Sequence, residues 1–187
     1  MNQILRLFIA VNFSDTEKEY LYRSVQELRM NSAGGNFTHK ENLHLTLVFI
    51  GETRELEGIR QAMDRAVTAL NLRPFSFILE GIGTFRHRDG DIYWVGIRKT
   101  QILADLNRAL VKELKPVVYR IDEGEFTAHL TLGRRIKVRD GFDRKAFADS
   151  IKPIEVGVDR ISLMKSERVQ GKLVYTEIYH SATKAAF

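Results

Sequence analysis

The tetrapeptide His44-Leu45-Thr46-Leu47 returns unchanged 85 residues later as His129-Leu130-Thr131-Leu132. Each copy lies in an apolar run of strand length, residues 43–50 and 126–132. Because side chains alternate between the two faces of a strand, each His and its Thr share one face and the Leu residues share the other. A core needs the Leu-x-Leu face but has no need of His-x-Thr twice. The repeat, here called the first and second motif, therefore predicts two polar sites on the faces of sheets.

Two histidines that face each other across a groove can act together as acid and base. Imidazole titrates at about pH 6.5, so it can give or take a proton near neutrality. One neutral ring can remove a proton from an attacking water or hydroxyl, and the other, protonated, can donate one to the leaving oxygen. The threonine hydroxyls can donate to the non-bridging oxygens of a phosphoryl group, whose charge grows in the transition state. The pattern favours in-line displacement at phosphorus without a metal ion.

Apolar periodicity divides the chain into strands and helices with frequent hairpins. The capping-box pair Ser14 and Glu17 marks the start of the first helix, and Gly34-Gly35 is expected to end any continuation. We predict an α+β fold of mostly antiparallel sheets with flanking helices. Residues 1–187 are expected to form a single bilobal domain, with one motif in each lobe and a pseudo-twofold relation across a central cleft. The predicted strands are residues 4–11, 43–50, 75–85, 92–98, 126–134, 153–165 and 172–180, and the predicted helices are residues 15–30, 54–72, 100–114 and 143–150.

Composition limits the possible classes of protein. The chain has 187 residues, of which 44% are hydrophobic, and this is enough for a substantial core. The absence of cysteine excludes disulfides, a thiol nucleophile and a thiolate metal site. No Gly-x-Ser-x-Gly elbow or P-loop pattern occurs. No third ligand lies near either repeated histidine in sequence, so we predict no metal site and no cofactor.

Basic residues outnumber acidic ones, which suggests an anionic partner. The formal net charge is +5. Residues 134–145 contain six basic and two acidic side chains and directly follow the second motif. As a charge run, this segment is expected to be a solvated loop that forms a cationic rim. The remaining histidines, His39, His87 and His180, are expected to be ordinary exposed residues, with His39 near the mouth of the groove.

The two motifs and their flanking residues resemble the 2H phosphoesterase superfamily, and within it the RNA 2′,3′-cyclic phosphodiesterases, also called 2′-5′ RNA ligases. The similarity covers almost the whole chain in the same order. The chain departs from the family pattern in two places, with Thr127-Ala128 instead of Arg-Pro and Asn36-Phe37 instead of a Trp-Val pair. These departures are expected to alter how the terminal nucleobase is bound and to leave the two catalytic histidines unaffected. The matching stretches are residues 6–11, 41–52, 93–96, 126–134 and 161–166, together with Tyr175.

The resemblance implies hydrolysis of a 2′,3′-cyclic phosphate at an RNA 3′ end to a 2′-phosphomonoester, with reversible 2′-5′ ligation in some relatives. By position, His44 would be the proton donor to the leaving 3′ oxygen and His129 the proton acceptor that activates water. Thr46 and Thr131 would hold the phosphate. Phe126 and Arg134, which flank the second motif, are candidate RNA contacts.

Two alternatives remain open from the sequence. One is a related phosphodiesterase acting on a small cyclic nucleotide such as ADP-ribose 1″,2″-cyclic phosphate. The other is a non-catalytic RNA-binding module, although binding alone has no need of two titrating imidazoles. No apolar run is long enough to span a membrane, and residues 1–11 carry Arg6 and no cleavage site. We therefore expect a cytoplasmic monomer without a membrane partner.

Overall fold

The computed structural model describes residues 3–98, 100–121 and 124–184. Within these residues the chain forms four α-helices, nine strands and a short 3₁₀ helix, Lys40–Asn42. The helices are α1 (Asp15–Met30), α2 (Leu56–Ala69), α3 (Gln101–Leu114) and α4 (Arg144–Ser150). The strands are β1 (Leu5–Asn12), β2 (Ser32–Phe37), β3 (His44–Thr53), β4 (Phe75–Phe85), β5 (Asp91–Ile97), β6 (His129–Val138), β7 (Ile154–Val158), β8 (Arg160–Val169) and β9 (Lys172–Ala182).

Local sequence signals fix the first helix at the predicted residues. The Ser14 hydroxyl accepts from the Glu17 backbone N–H at 3.3 Å, and the Glu17 carboxylate accepts from the Ser14 backbone N–H at 2.7 Å. This reciprocal pair satisfies two N–H groups that the helix end would otherwise leave without partners. One face of α1 is buried through Leu21, Val25 and Leu28.

The strands form two antiparallel sheets, and each sheet contains one motif strand. In the first sheet the order is β3-β1-β8-β9, and in the second it is β2-β6-β5-β4-β7. Every strand pair is antiparallel. β3 and β6 also approach each other directly, although they belong to different sheets. The predicted α+β fold with two antiparallel sheets around a cleft is confirmed.

The helices cross reciprocally between the sheets. α1 follows β1 of the first sheet but packs on β2 and β6 of the second. α3 follows β5 of the second sheet but packs on β3 of the first, beside α2. In each sheet, the motif strand pairs with the strand after which a helix crosses to the other sheet. β3 pairs with β1, which precedes α1, and β6 pairs with β5, which precedes α3. Most buried apolar side chains of both sheets and of all four helices belong to one continuous cluster.

One strand was not predicted, and two predicted elements were wrong in type or extent. The first helix ends before Gly34-Gly35 as expected, but these glycines lie within the unpredicted β2, which pairs with the edge of β6 through backbone groups and so needs no apolar alternation. The single strand predicted at 153–165 is two strands, because the chain bends at Asp159 and moves from the second sheet to the first. The basic segment predicted as a loop at 134–145 begins as the second half of β6.

The other differences concern the ends of elements. β3 runs on to Thr53 and α2 is shorter than residues 54–72. The second motif strand starts at His129, not at residue 126. The sequence also predicts a loop at residues 122–125, before the second motif strand, and Asp122 and Glu123 of this loop lie outside the described residues. In the described part of the chain, no helix combines the length and the apolar character needed to cross a membrane.

Candidate active site

Both motifs present their polar side chains to one cleft. His44 and Thr46 on β3 and His129 and Thr131 on β6 are half-buried and line a cavity of about 1100 Å³. The leucines between and after them are buried in the core. The two-residue period of the strands therefore sorts each tetrapeptide into an apolar face and a polar face, and the fold brings the two polar faces together.

A bulge after each motif adds a further side chain to the cleft. The pairing register shifts between Ile9 and Ala10 opposite β3, and between Tyr93 and Trp94 opposite β6. Each shift inserts an extra residue directly after the motif threonine, so the alternation of faces slips by one. As a result, Phe49 and Arg134, each five residues after its motif histidine, both line the cleft. The bulge therefore stands at the same position relative to the motif in both strands.

His44 is held by its own chain and by two aromatic rings. Its Nδ1 lies 2.7 Å from the Asn42 carbonyl oxygen, which can only accept, so this nitrogen carries a proton and donates. In the neutral ring, Nε2 then accepts from the Thr46 hydroxyl at 2.9 Å. The ring centre lies 4.8 Å from that of Phe8 and 5.2 Å from that of Tyr175. Both tautomer and orientation are fixed before a ligand arrives.

Burial lowers the pKa of His44 to about 4, because the charged imidazolium is shielded from water. The hydrogen bond to the Asn42 carbonyl acts in the opposite direction but is the smaller effect. The positive charges of Arg134 and Lys18 lower the pKa further. His44 is therefore neutral at pH 7 when the cleft holds no anion.

His129 repeats this arrangement in the second sheet. Its Nδ1 donates to the Thr127 carbonyl at 2.7 Å, again two residues earlier in the chain, and leaves Nε2 for the cleft. Burial lowers its pKa as well, and the Arg134 charge adds to that effect. The aromatic rings of Phe85 and Trp94 pack beside it, with centres at 5.2 and 5.9 Å.

The cleft is strongly cationic. Glu167, the one acidic residue of the lining within the described part of the chain, forms an ion pair with Lys165 at 2.7 Å. None of the cleft's basic side chains forms an ion pair with another described residue, whereas the ion-paired lysines and arginines of the described chain all lie outside the lining. The basic lining residues are Arg6, Arg29, Arg134, Arg168 and Lys172. Such an excess of unpaired positive charge suits a phosphate-bearing ligand.

The flanking residues predicted as RNA contacts lie in different places. Arg134 lines the cleft, and its charge acts on both histidines. Phe126 instead packs, partly buried, against the core and is not part of the cleft lining. Of the other histidines, His39 is exposed and lines the cleft, while His87 and His180 lie outside the lining.

Several cleft residues escaped prediction from the sequence. Phe8 lies on the face of β1 opposite to Leu7 and Ile9, so the alternation of side chains along this strand could have predicted that Phe8 faces away from them. Asn42 is buried and its side chain donates to the Leu173 carbonyl at 2.8 Å, which joins the 3₁₀ helix to β9. Nothing local in the sequence places Tyr175 against His44. Among the described residues, no group of three or more His, Asp or Glu side chains is placed to hold a metal ion.

A family model for the 2′-5′ RNA ligase superfamily matches residues 17–170. The chain belongs to the 2′-5′ RNA ligase superfamily. The resemblance predicted from the two motifs is thereby confirmed.

Relatives in this superfamily match over most of the chain. A Thermotoga maritima protein is 29% identical over 94% of both chains, and an Archaeoglobus fulgidus protein is 32% identical over 70% of this chain and 72% of its own. Both are named RNA 2′,3′-cyclic phosphodiesterase. The crystal structure of E. coli LigT complexed with 3′-AMP matches this fold with a TM-score of 0.79 at 21% identity, covering 98% of this chain and all of LigT. At that identity the likeness to LigT shows the fold alone.

Proposed function

We propose that this superfamily member is an RNA 2′,3′-cyclic phosphodiesterase, which opens a cyclic phosphate at an RNA 3′ end and leaves a 2′-phosphomonoester. One observation carries the proposal: two imidazoles from different sheets, each with its Nδ1 tied to a backbone carbonyl and a threonine beside it, line one cationic cleft. The names of the relatives support the same activity.

His129 is the proposed base. Because its Nδ1–H is engaged by the Thr127 carbonyl, the neutral ring carries its lone pair on Nε2. A pKa below the ordinary value keeps that lone pair free at neutral pH. Nε2 takes a proton from water as the water oxygen bonds to phosphorus. Thr131 and Arg134 interact with the non-bridging oxygens, whose negative charge grows at that moment.

His44 is the proposed acid, and it needs a proton that the ligand-free site does not hold. A phosphate anion in the half-buried cleft favours the imidazolium and raises the pKa of His44 above its value of about 4. Protonated Nε2 then donates to the 3′ oxygen as the bond between phosphorus and that oxygen breaks. The reaction ends with His44 neutral and His129 charged, and proton exchange with solvent restores both. An RNA 5′-hydroxyl in place of water would give 2′-5′ ligation by the same steps.

The test is incubation with an oligoribonucleotide ending in a 2′,3′-cyclic phosphate, followed by identification of the phosphate position. We expect a 2′-phosphate as product and full activity in EDTA. His44→Ala or His129→Ala should each lower kcat by about 10²-fold or more, the usual contribution of a general acid or base. Replacement of His87, an exposed histidine outside the cleft, serves as control and should leave the rate unchanged. Full activity in both cleft variants, or a 3′-phosphate product, would contradict the proposal.

A further inference from the structure

The hairpin of β8 and β9 extends beyond the part of the sheet that β1 supports. β8 pairs with β1 only as far as Lys165, which lies opposite Leu7. Its pairing with β9 continues to Val169 opposite Lys172. Residues 166–175, here called the ribbon, therefore project from the first sheet as two strands.

One face of the ribbon forms a wall of the cleft. Ser166 pairs with Tyr175 and Arg168 with Leu173, and all four residues line the cleft. Tyr175 contacts the His44 ring. Arg168 follows Ser166 by two residues, so its Cα lies about 7 Å farther along the ribbon than the Ser166–Tyr175 pair. The ribbon thus carries charge along the cleft and away from His44.

The two basic residues of the ribbon both line the cleft and are available to a ligand, Arg168 from the face that forms the wall and Lys172 from beside the turn at the end of the ribbon. Arg168 donates through Nη1 to the Gly171 carbonyl at 3.0 Å, and neither Arg168 nor Lys172 forms an ion pair within the described chain. Both are exposed. Their positions are set by the tight turn between them, where Gln170 and Gly171 have φ of 50° and 79°. Two positive φ values in a two-residue loop match the twist of a hairpin and fix its register.

A single terminal phosphate does not account for these cations. A phosphate bound between the two histidines, as the proposed function requires, would already have Thr46, Thr131 and Arg134 as partners in the same cleft. The other anionic groups on an RNA end are the phosphodiesters that precede the terminal nucleotide. Because these follow one another along the chain, they need cations spaced along the cleft, as the ribbon provides.

We propose that the RNA leading to the terminal phosphate runs along the ribbon, with Arg168 and Lys172 binding phosphodiesters upstream of it. This inference rests on the proposed function and goes further by making an oligonucleotide end, rather than a cyclic mononucleotide, the preferred substrate. It also separates two tasks, since the motif residues act on the terminal phosphate and the ribbon residues select the length of the chain behind it.

The experiment compares adenosine 2′,3′-cyclic phosphate with a tetra-adenylate that ends in the same cyclic phosphate. For the Arg168→Gln/Lys172→Gln double variant we expect kcat/KM on the tetranucleotide to fall by roughly tenfold for each phosphodiester that the ribbon no longer binds. The slope of log kcat/KM against log salt should also become shallower by about one for each such phosphodiester. Turnover of the mononucleotide should stay within about twofold of wild type, because it carries no upstream phosphate.

The matched control is Arg54→Gln/Lys112→Gln, which removes the same charge from exposed residues outside the cleft lining. The control variant should leave kcat/KM on both substrates unchanged. An equal loss on both substrates in the ribbon variant, or an equal loss in the control, would overturn the proposal. If the wild-type protein turned over neither substrate, the proposed function would fail by itself. Fluorescence anisotropy with a labelled 3′-phosphorylated tetranucleotide would then still decide whether the ribbon variant binds RNA more weakly.

Discussion

At the scale of single residues, the tautomers of the two histidines are set by backbone groups two residues earlier in the chain. The carbonyl groups of Asn42 and Thr127 fix the tautomers of His44 and His129. The side chains of Asn42 and Thr127 differ, but in both places it is the backbone oxygen that accepts from Nδ1. This hydrogen bond is therefore repeated with the motif, although the residue type is not. The described contacts of the two rings differ at Nε2, because Nε2 of His44 also forms a hydrogen bond with the Thr46 hydroxyl.

The low pKa of His44 predicts a specific dependence of stability on pH. In the unfolded chain its imidazole titrates at about 6.5, whereas in the folded protein its pKa is about 4. Between these values the unfolded state binds more protons, so the free energy of unfolding falls as pH drops from 6.5 to 4. The full shift corresponds to about 3 kcal/mol. His129, whose pKa is also lowered, acts in the same direction.

Urea unfolding at pH 7, 6, 5 and 4 measures this effect. The free energy of unfolding of His44→Gln should fall less than that of wild type over this range, because glutamine does not take up a proton when the chain unfolds. His87→Gln, the same substitution at an exposed histidine outside the cleft lining, is the control. Parallel curves for wild type and His44→Gln would show that His44 is not held neutral in the folded protein.

At the scale of elements, a glycine in β4 makes room for the aromatic wall behind His129. A Cβ at Gly83 would lie 1.9 Å from the Trp94 ring, so no larger residue fits unless the indole moves. Trp94 also packs beside Phe85 and His129. The packing of β4 against β5 is thus coupled to the position of one proposed catalytic ring.

Gly83→Ala is therefore expected to destabilise the protein by about 1–3 kcal/mol and to lower turnover, because overpacking displaces Trp94 and with it His129. Gly157→Ala in β7 of the same sheet is the matched control, since a Cβ there meets nothing within 4 Å. Urea unfolding followed by the fluorescence of Trp94, the only tryptophan in the chain, reports stability and local packing together. Equal behaviour of the two variants would contradict the coupling.

Sequence patterns predicted elements where the signal was local. The first helix is bounded by its capping box, and the face of each motif strand follows from alternation. β2 was missed because its Gly34-Gly35 sequence has no apolar period, and it forms only because the edge of β6 offers backbone partners. The contacts of Phe8 and Tyr175 with His44 depend on the strand order β3-β1-β8-β9, which joins segments far apart in the chain. Local periodicity contains no information about that order.

At the scale of the whole molecule, the reciprocal helices link the two sheets, and we propose that residues of both sheets fold as one domain. α1 and α3 each start from one sheet and pack on the other, and Leu28 and Leu103 on these helices are buried in the same continuous core. Loss of α1 would expose apolar surface of the second sheet, and loss of α3 would expose apolar surface of the first sheet.

A single unfolding transition follows from that arrangement. Trp94 fluorescence reports the second sheet, and far-ultraviolet circular dichroism reports both sheets and all helices, so their urea midpoints should coincide. Leu28→Ala and Leu103→Ala should each cost about 2–5 kcal/mol and shift both midpoints together, because each cavity opens in the shared core. If the lobes were independent, Leu103→Ala on α3, which packs on the first sheet, would shift the dichroism curve and leave the tryptophan midpoint in place. The cleft between the motifs would then depend on a hinge between two domains, rather than on a core that holds both histidines at fixed positions.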